Sequence, residues 1–334
     1  MVKIILFQFF VMFALSLHAQ NAPAEVVAQQ GDGIYSLLKR HGLEPANFNA
    51  FVELNRDRLG RNNSLIAGRK YKLPTEGVTA STNSTSATGN SKTYKIFGSK
   101  YQQVTIKSNL LKGATYYLKS GHGGPDPGAT SRYQNHLLCE DEYAYDVVLR
   151  LGRNLIELGA TVHFIIIDPN DGIRDQEFLA PDKDEVCYPN LTIPLNQVQR
   201  LKQRTDAINK LYNQNRGGFH RMISVHVDAR SKGQNIDVFF YHDERSKTGA
   251  KAATILKNTF EAKYRQHQPN RGYRGTVSDR NLYVVRNSIP VSVYIELGNI
   301  HHSRDQQRII SPANRQALAN WLTDGLVQDF KTNP

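Results

Sequence analysis

From Tyr94 to the C-terminus, short apolar runs alternate with longer stretches of helical periodicity. The runs TYYLKS (115–120), TVHFIII (161–167), MISVHV (222–227), DVFFYH (237–242), LYVV (282–285) and VSVYIEL (291–297) have the length and the β-branched or aromatic content of strands. Apolar positions recur at helical spacing over 141–158, 195–214, 248–264 and 313–330. This alternation predicts an α/β domain over 94–334, a mainly parallel twisted sheet flanked by helices. Residues 168–197 show neither period, so this long connection is expected to be a cleft wall, a lid or a surface insertion.

Upstream the pattern is shorter. Val26 and Val27 suggest a brief strand, and Gly31-Asp32-Gly33 a turn that caps a helix. Ile34, Leu37, Leu38 and His41 follow at helical spacing, and Gly68, Tyr71, Leu73 and Pro74 read as a turn and a closing strand. Residues 25–74 therefore read as a small strand–helix–helix–strand module. Residues 75–93 contain ten Ser or Thr in nineteen positions and no aromatic residue, the composition of a flexible linker.

The first twenty residues have one charge, Lys3, and an apolar stretch from Ile4 to Leu17, then small or polar residues. That is the layout of a secretory signal peptide cleaved near Ala19 or Gln20. It predicts export to the periplasm or cell envelope, or secretion, with no membrane span once the signal is removed. The formal charge of +12 over 334 residues favours an anionic partner. Export argues against nucleic acid and leaves anionic lipid or an acidic cell-wall polymer. With only two cysteines, Cys139 and Cys187, a disulfide-stapled scaffold and a Cys-rich zinc module are excluded. In an oxidising compartment the pair is a candidate disulfide that would pin the 168–197 loop.

Open α/β sheets place their sites at the carboxyl ends of strands. The first strand of the large domain ends in SGHGGPDPGA (120–129), which carries His122 among glycines. SVHVDA (224–229) delivers His226, and VYIELGN (293–299) places Glu296 after an apolar run. Imidazole is the commonest protein metal ligand, and a catalytic zinc takes three protein ligands and an open position. The two histidines therefore want a carboxylate, Glu140 or Glu142, at the start of the next helix. Counting back from Val147, Val148, Leu151 and Leu155 puts Glu140 on the inward face beside Ala144. Glu142 falls with Asp146 on the outer side, as a solvated first-turn carboxylate.

Together these motifs, with Arg204 and Asn209 in LKQRTDAINK (201–210), resemble the zinc-dependent N-acetylmuramoyl-L-alanine amidase family (Amidase_3) over roughly 110–330. The resemblance implies Zn2+ bound by His122, Glu140 and His226, with Glu296 as the catalytic carboxylate. It implies hydrolysis of the amide between N-acetylmuramic acid and the L-alanine of the peptidoglycan stem peptide. A zinc peptidase cutting within the stem, or a noncatalytic cell-wall-binding protein, is the alternative on the same scaffold. Residues 26–74 resemble a LysM module, with Asn55 at its central asparagine, which implies binding to glycan strands. Arg286 and Asn299 are candidate substrate contacts. His163 is expected in the core, His301 and His302 at the surface, and His136 near the cleft. A protein activator, if one exists, is not identified by the sequence.

Overall fold

In the computed structural model, residues 24–29, 32–43, 47–60, 65–74, 91–229 and 233–333 are described. The expected signal peptide and most of the expected linker lie outside them. The chain divides into two compact units, one ending at Ala87 and one beginning at Thr88. No helix among the described residues is long and apolar enough to cross a membrane.

In the first unit, strand β1 (Glu25–Val27) pairs antiparallel with β2 (Lys70–Lys72), and helices α1 (Ile34–Arg40) and α2 (Phe48–Leu54) lie between them in sequence. Leu37, Leu38, Phe51 and Tyr71 form its core. Asn55 is buried beside them. Its amide donates to the carbonyls of Phe51 and Lys72 and accepts from the N–H of Lys72, so one side chain ties α2 to β2.

The second unit begins with β3 (Ser91–Thr93), which pairs antiparallel with β4 (Gln103–Thr105) around the single turn α3 (Gly98–Tyr101). Residues 91–93, assigned to the linker by composition, are thus the first strand of this unit. The strand β5 (Ala114–Ser120) follows, then the hairpin β6 (Thr130–Tyr133) and β7 (His136–Cys139), and helix α4 (Glu140–Glu157). Next come β8 (Thr161–Phe164), β9 (Ile166–Ile167), β10 (Val186–Cys187), β11 (Leu191–Thr192) and α5 (Gln197–Gln214). The chain continues through β12 (Phe219–Asp228), β13 (Phe239–His242), α6 (Lys247–His267), β14 (Val277–Asp279) and α7 (Tyr283–Asn287). It closes with β15 (Val291–Asn299), α8 (Ser303–Ile310) and α9 (Pro312–Thr332).

The main sheet has the order β14-β13-β15-β12-β5-β8. The pairs of β12 with β15 and with β5, of β5 with β8 and of β13 with β14 are parallel, and β13 runs antiparallel to β15. The fold is therefore α/β with a mixed, mostly parallel sheet. Alternation along the central strands sends Leu118, Ile223, Val225, Val293 and Ile295 to one face, beneath α4, α6 and α9. Tyr117, Met222 and Tyr294 go to the other, under α5 and α7.

Two segments differ from their expected structure. LYVV is not a strand: Tyr283–Asn287 is the short helix α7, with Val284 and Val285 buried in the cluster around Tyr117 and Met222. Four apolar residues in a row fit either element, and tertiary packing decides. The 168–197 connection is not structureless, since β10 pairs with both β9 and β11 to make a small three-stranded sheet.

Candidate metal centre

His122 follows the end of β5, in a glycine-rich turn, with φ of 56°. A non-glycine residue in that region costs energy and persists only where its surroundings hold it. Here Arg204 on α5 donates to the His122 carbonyl at 2.7 Å. The His122 Nδ1 lies 2.8 Å from Asp126 Oδ2, and Asp126 is held in turn by Arg200 at 2.6 Å. This leaves Nε2 facing Glu140 Oε2 at 3.2 Å.

Glu140, the first residue of α4, is buried and accepts through both oxygens. Oε2 takes the Ala129 N–H at 2.9 Å, and Oε1 takes the Val227 N–H at 3.1 Å. His226 Nδ1 lies 2.8 Å from Oε1. The donor atoms of His122, Glu140 and His226 all fall within 4.8 Å of one another. Glu296 sits opposite His226 in the parallel register of β12 and β15, and its buried Oε2 has no hydrogen-bond partner.

The backbone crowds these side chains as closely as glycine allows. A Cβ on Gly121 would lie 2.3 Å from His226 Nδ1. One on Gly128 would lie 2.6 Å from the His122 ring and 2.7 Å from Glu140 Oε2. The donor set, two imidazoles and a carboxylate with one imidazole braced by an outer carboxylate, fits a zinc ion.

Charge is finely divided in this pocket. Burial alone would lower the His122 imidazole, but Asp126 and Glu140 beside it hold it up at about 9. Burial, then Lys119, pushes His226 down to about 3. Burial, then the Glu140 and Asp228 carboxylates, raises Glu296 well above the usual carboxylate range.

Other expected residues fall elsewhere. Glu142 is not solvated: it is buried, with Oε2 on Arg174 at 2.8 Å and Oε1 accepting the Asp182 N–H at 3.0 Å. Asp146 on the same face is buried too, paired with Arg150 and Arg315. The supposed outer face of α4 is covered by α9 and the 168–182 segment. Cys139 and Cys187 are both buried free thiols rather than a bridge. Cys187 packs with Tyr117, Ile166 and Ile193, whereas Cys139 ends β7. Burial pushes each thiol up to about 11. Asn299 is fully buried, and its amide serves the Gln234 carbonyl and the His301 N–H rather than an open cleft. Arg286 is exposed on α7 and bonds Asn281. His163 stacks on Tyr117, and His136 stacks on Phe178 of the long loop with ring centres 3.7 Å apart. His301 is exposed and His302 half-buried.

Two contributors went unnoticed in the sequence. Lys119, only 1% exposed, places Nζ 3.0 Å from His226 Nε2 and 3.2 Å from Ser224 Oγ. Strand alternation carries the signal, because Tyr117 and Lys119 share a face. Asp126 was visible only as part of the motif.

The sequence profile of N-acetylmuramoyl-L-alanine amidases (Amidase_3) matches residues 117–328, well over half of the chain. The chain belongs to this family. A Staphylococcus aureus relative named probable cell wall amidase LytH is 28% identical over 225 residues, 66% of this chain and 60% of the relative. The chain thus spans less than two thirds of the length of that relative. Among solved structures, an N-acetylmuramoyl-L-alanine amidase from Clostridium difficile 630 shares 18% identity, with 67% of this chain and all of that one covered at a TM-score of 0.49. The CwlD amidase of Clostridioides difficile, solved with the GerS lipoprotein, shares 15% over 66% of this chain and 99% of its own, at 0.48.

Proposed function

We propose that this member of the family is an exported peptidoglycan hydrolase. It cleaves the amide between N-acetylmuramic acid and the L-alanine of the stem peptide. The observation that carries this reading is Glu140 clasped between His122 and His226, with Glu296 in register beside them and its buried Oε2 free of any hydrogen bond. His122, Glu140 and His226 would hold Zn2+. When bound, zinc polarises an amide carbonyl as a Lewis acid and lowers the pKa of water.

The protein's own groups then divide the work. Asp126 fixes the His122 ring with Nε2 facing Glu140, and Arg200 fixes Asp126. Lys119 holds the outer nitrogen of His226. Glu296 takes the proton from the attacking water and returns it to the leaving amine. A positioned carboxylate that takes and returns a proton in this way is a general acid–base catalyst.

The first unit supports a second role. Its strand–helix–helix–strand arrangement, locked by Asn55, is consistent with a LysM-like module that holds glycan strands near the hydrolytic unit. The basic charge of the chain suits an acidic wall polymer. Digestion of purified muropeptides, read by mass spectrometry, tests the reading. Free stem peptide with intact sugar is expected. Cleavage inside the peptide, or no product from zinc-loaded protein, would overturn it.

A further inference from the structure

A second group of acids lies next to the metal centre but takes no part in it. Asp141 and Glu142, in the first turn of α4, approach Glu185, just before β10, with carboxylate oxygens within 4.8 Å of one another. Asp168 and Asp182 form a second such group with the same Glu185. Asp141, Glu142, Glu185 and Asp168 are all buried, and Asp182 is half-buried.

These charges are poorly compensated. Among the described residues, Arg174 is the one cation in an ion pair with the group, through Glu142 at 2.8 Å. Arg174 also pairs with Asp171, a further acid. Glu185 Oε2 accepts the Gly124 N–H, and Asp168 Oδ1 accepts the N–H groups of Asn170 and Asp171. The start of α4 favours its own first-turn carboxylates, Asp141 and Glu142. Asp141 is the informative member. It is 2% exposed and its Oδ2 has no hydrogen-bond partner, although it lies among other carboxylates. Its Oδ1 accepts the Glu142 N–H at 2.9 Å, but a buried carboxylate oxygen left bare, as Oδ2 is, is expensive, and a bound cation supplies what is missing.

We propose that Asp141, Glu142 and Glu185 form a second cation site distinct from the His122–Glu140–His226 centre, with Asp168 and Asp182 in the adjoining group that shares Glu185, and that its ligand is Ca2+. The donor set is all oxygen, which selects a hard cation over zinc. Ca2+ takes six to eight oxygens at about 2.3–2.6 Å, so ligand oxygens facing each other across the ion lie up to about 5 Å apart. Mg2+ keeps most of its waters and typically uses only about one or two carboxylates, fewer than are gathered here.

The site has a structural consequence. Asp141 and Glu142 directly follow Glu140, and Glu185 holds the Gly124 N–H of the turn that carries His122. Ca2+ would therefore tie the 168–185 segment to both halves of the metal centre. The inference does not rest on the zinc assignment, and its failure would leave that reading untouched.

Calorimetric titration of CaCl2 into the zinc-loaded full chain tests it, with MgCl2 as the comparison. One saturable Ca2+ site per chain is expected, with a Kd no weaker than about 10⁻³ M, the weak end for extracellular calcium modules. Ca2+ should also raise the Tm by several degrees. Asp141→Asn and Glu185→Gln should each weaken binding at least tenfold while zinc content stays unchanged. The half-buried Asp182→Asn variant, which spares the fully buried residues, should weaken it less. Tb3+ should bind at the same place and be sensitised by Tyr145, whose hydroxyl accepts the Asp168 N–H at 2.9 Å. No saturable Ca2+ binding by folded wild-type protein would overturn the proposal. So would wild-type affinity in both buried-residue variants, or Ca2+ binding lost only on Glu140→Ala.

Discussion

Gly121→Ala is the sharpest probe of the proposed zinc site, because it adds one methyl group and no charge. Gly121 has an ordinary backbone conformation, so backbone strain does not confuse the result. The added Cβ would stand 2.3 Å from His226 Nδ1, 2.5 Å from Cε1 and 2.8 Å from Cγ. Ordinary contact begins near 3.4 Å, so the ring must retreat by about 1 Å from the new atom. It has nowhere easy to go. Tyr294 stacks on it with ring centres 4.2 Å apart, Lys119 holds Nε2, and Glu140 holds Nδ1.

Overpacking of this kind typically costs about 1–3 kcal/mol, within the ~5–15 kcal/mol that holds a domain together. The variant should fold. Metal–ligand distances, however, tolerate only about 0.2 Å. A ligand displaced by several times that should weaken zinc at least as much as loss of an outer-shell partner, about 10–100-fold. Competition against a chromophoric chelator measures the affinity, and circular dichroism confirms the fold. Gly33→Ala is the control, since nothing lies within 4 Å of its Cβ. A folded Gly121→Ala protein that binds zinc as the wild type does would refute the assignment of His226 Nδ1 as a ligand.

Three further outcomes are expected. Glu296→Gln should keep its zinc and lose about 10²–10⁴-fold in turnover on muropeptides, because proton transfer supplies that factor; loss of the metal instead would make Glu296 a ligand. Thiol titration of the unfolded, unreduced chain should find both Cys139 and Cys187 reactive, and a count of zero would restore the disulfide. In metal-free protein, burial, with Glu142 and Asp168 nearby, raises Glu185 from 4.5 to about 7. A raised carboxylate leaves stability complete below about 4.5 and removes it as pH climbs through about 7, a loss on the order of 3 kcal/mol. Urea unfolding should follow that slope, and Glu185→Gln should flatten it; parallel curves would contradict the cause given.

The parts of the site legible in the sequence are those in which chemistry interrupts a pattern. His122, His226 and Glu296 stand out because each follows an apolar strand, where a polar residue needs a reason. Glu140 was reached by helical phase alone. The same phase misplaced Glu142 and Asp146, because it assumes one buried face and one wet face. Helix α4 is covered on both, by the sheet beneath and by α9 and the 168–182 segment above. No count along one helix reveals what a distant segment lays over it. Lys119 was hidden for the opposite reason. A lysine next to Ser120 at a strand end looks like a solvated edge, and only the pairing of β5 with β12 sets its amine against His226. The second acid cluster joins residues more than forty positions apart and has no local signature.

The LKQRTDAINK helix shows how far such long-range ties shape the site. Arg204 reaches the carbonyl of His122 and so helps hold a histidine in a left-handed conformation. Five residues later, Asn209 donates to the Asn287 carbonyl and accepts the Ile289 N–H, clamping the segment that leads into β15 and Glu296. At 1.5 Å per residue these two side chains are about 7.5 Å apart along the helix axis. One rigid element therefore sets the positions of a proposed metal ligand and of the proposed catalytic carboxylate. Neither Arg204 nor Asn209 need touch a substrate for its identity to matter. Arg200 on the same helix holds Asp126, so α5 braces the His122 turn at two points and the approach to Glu296 at a third, in addition to the register of the sheet.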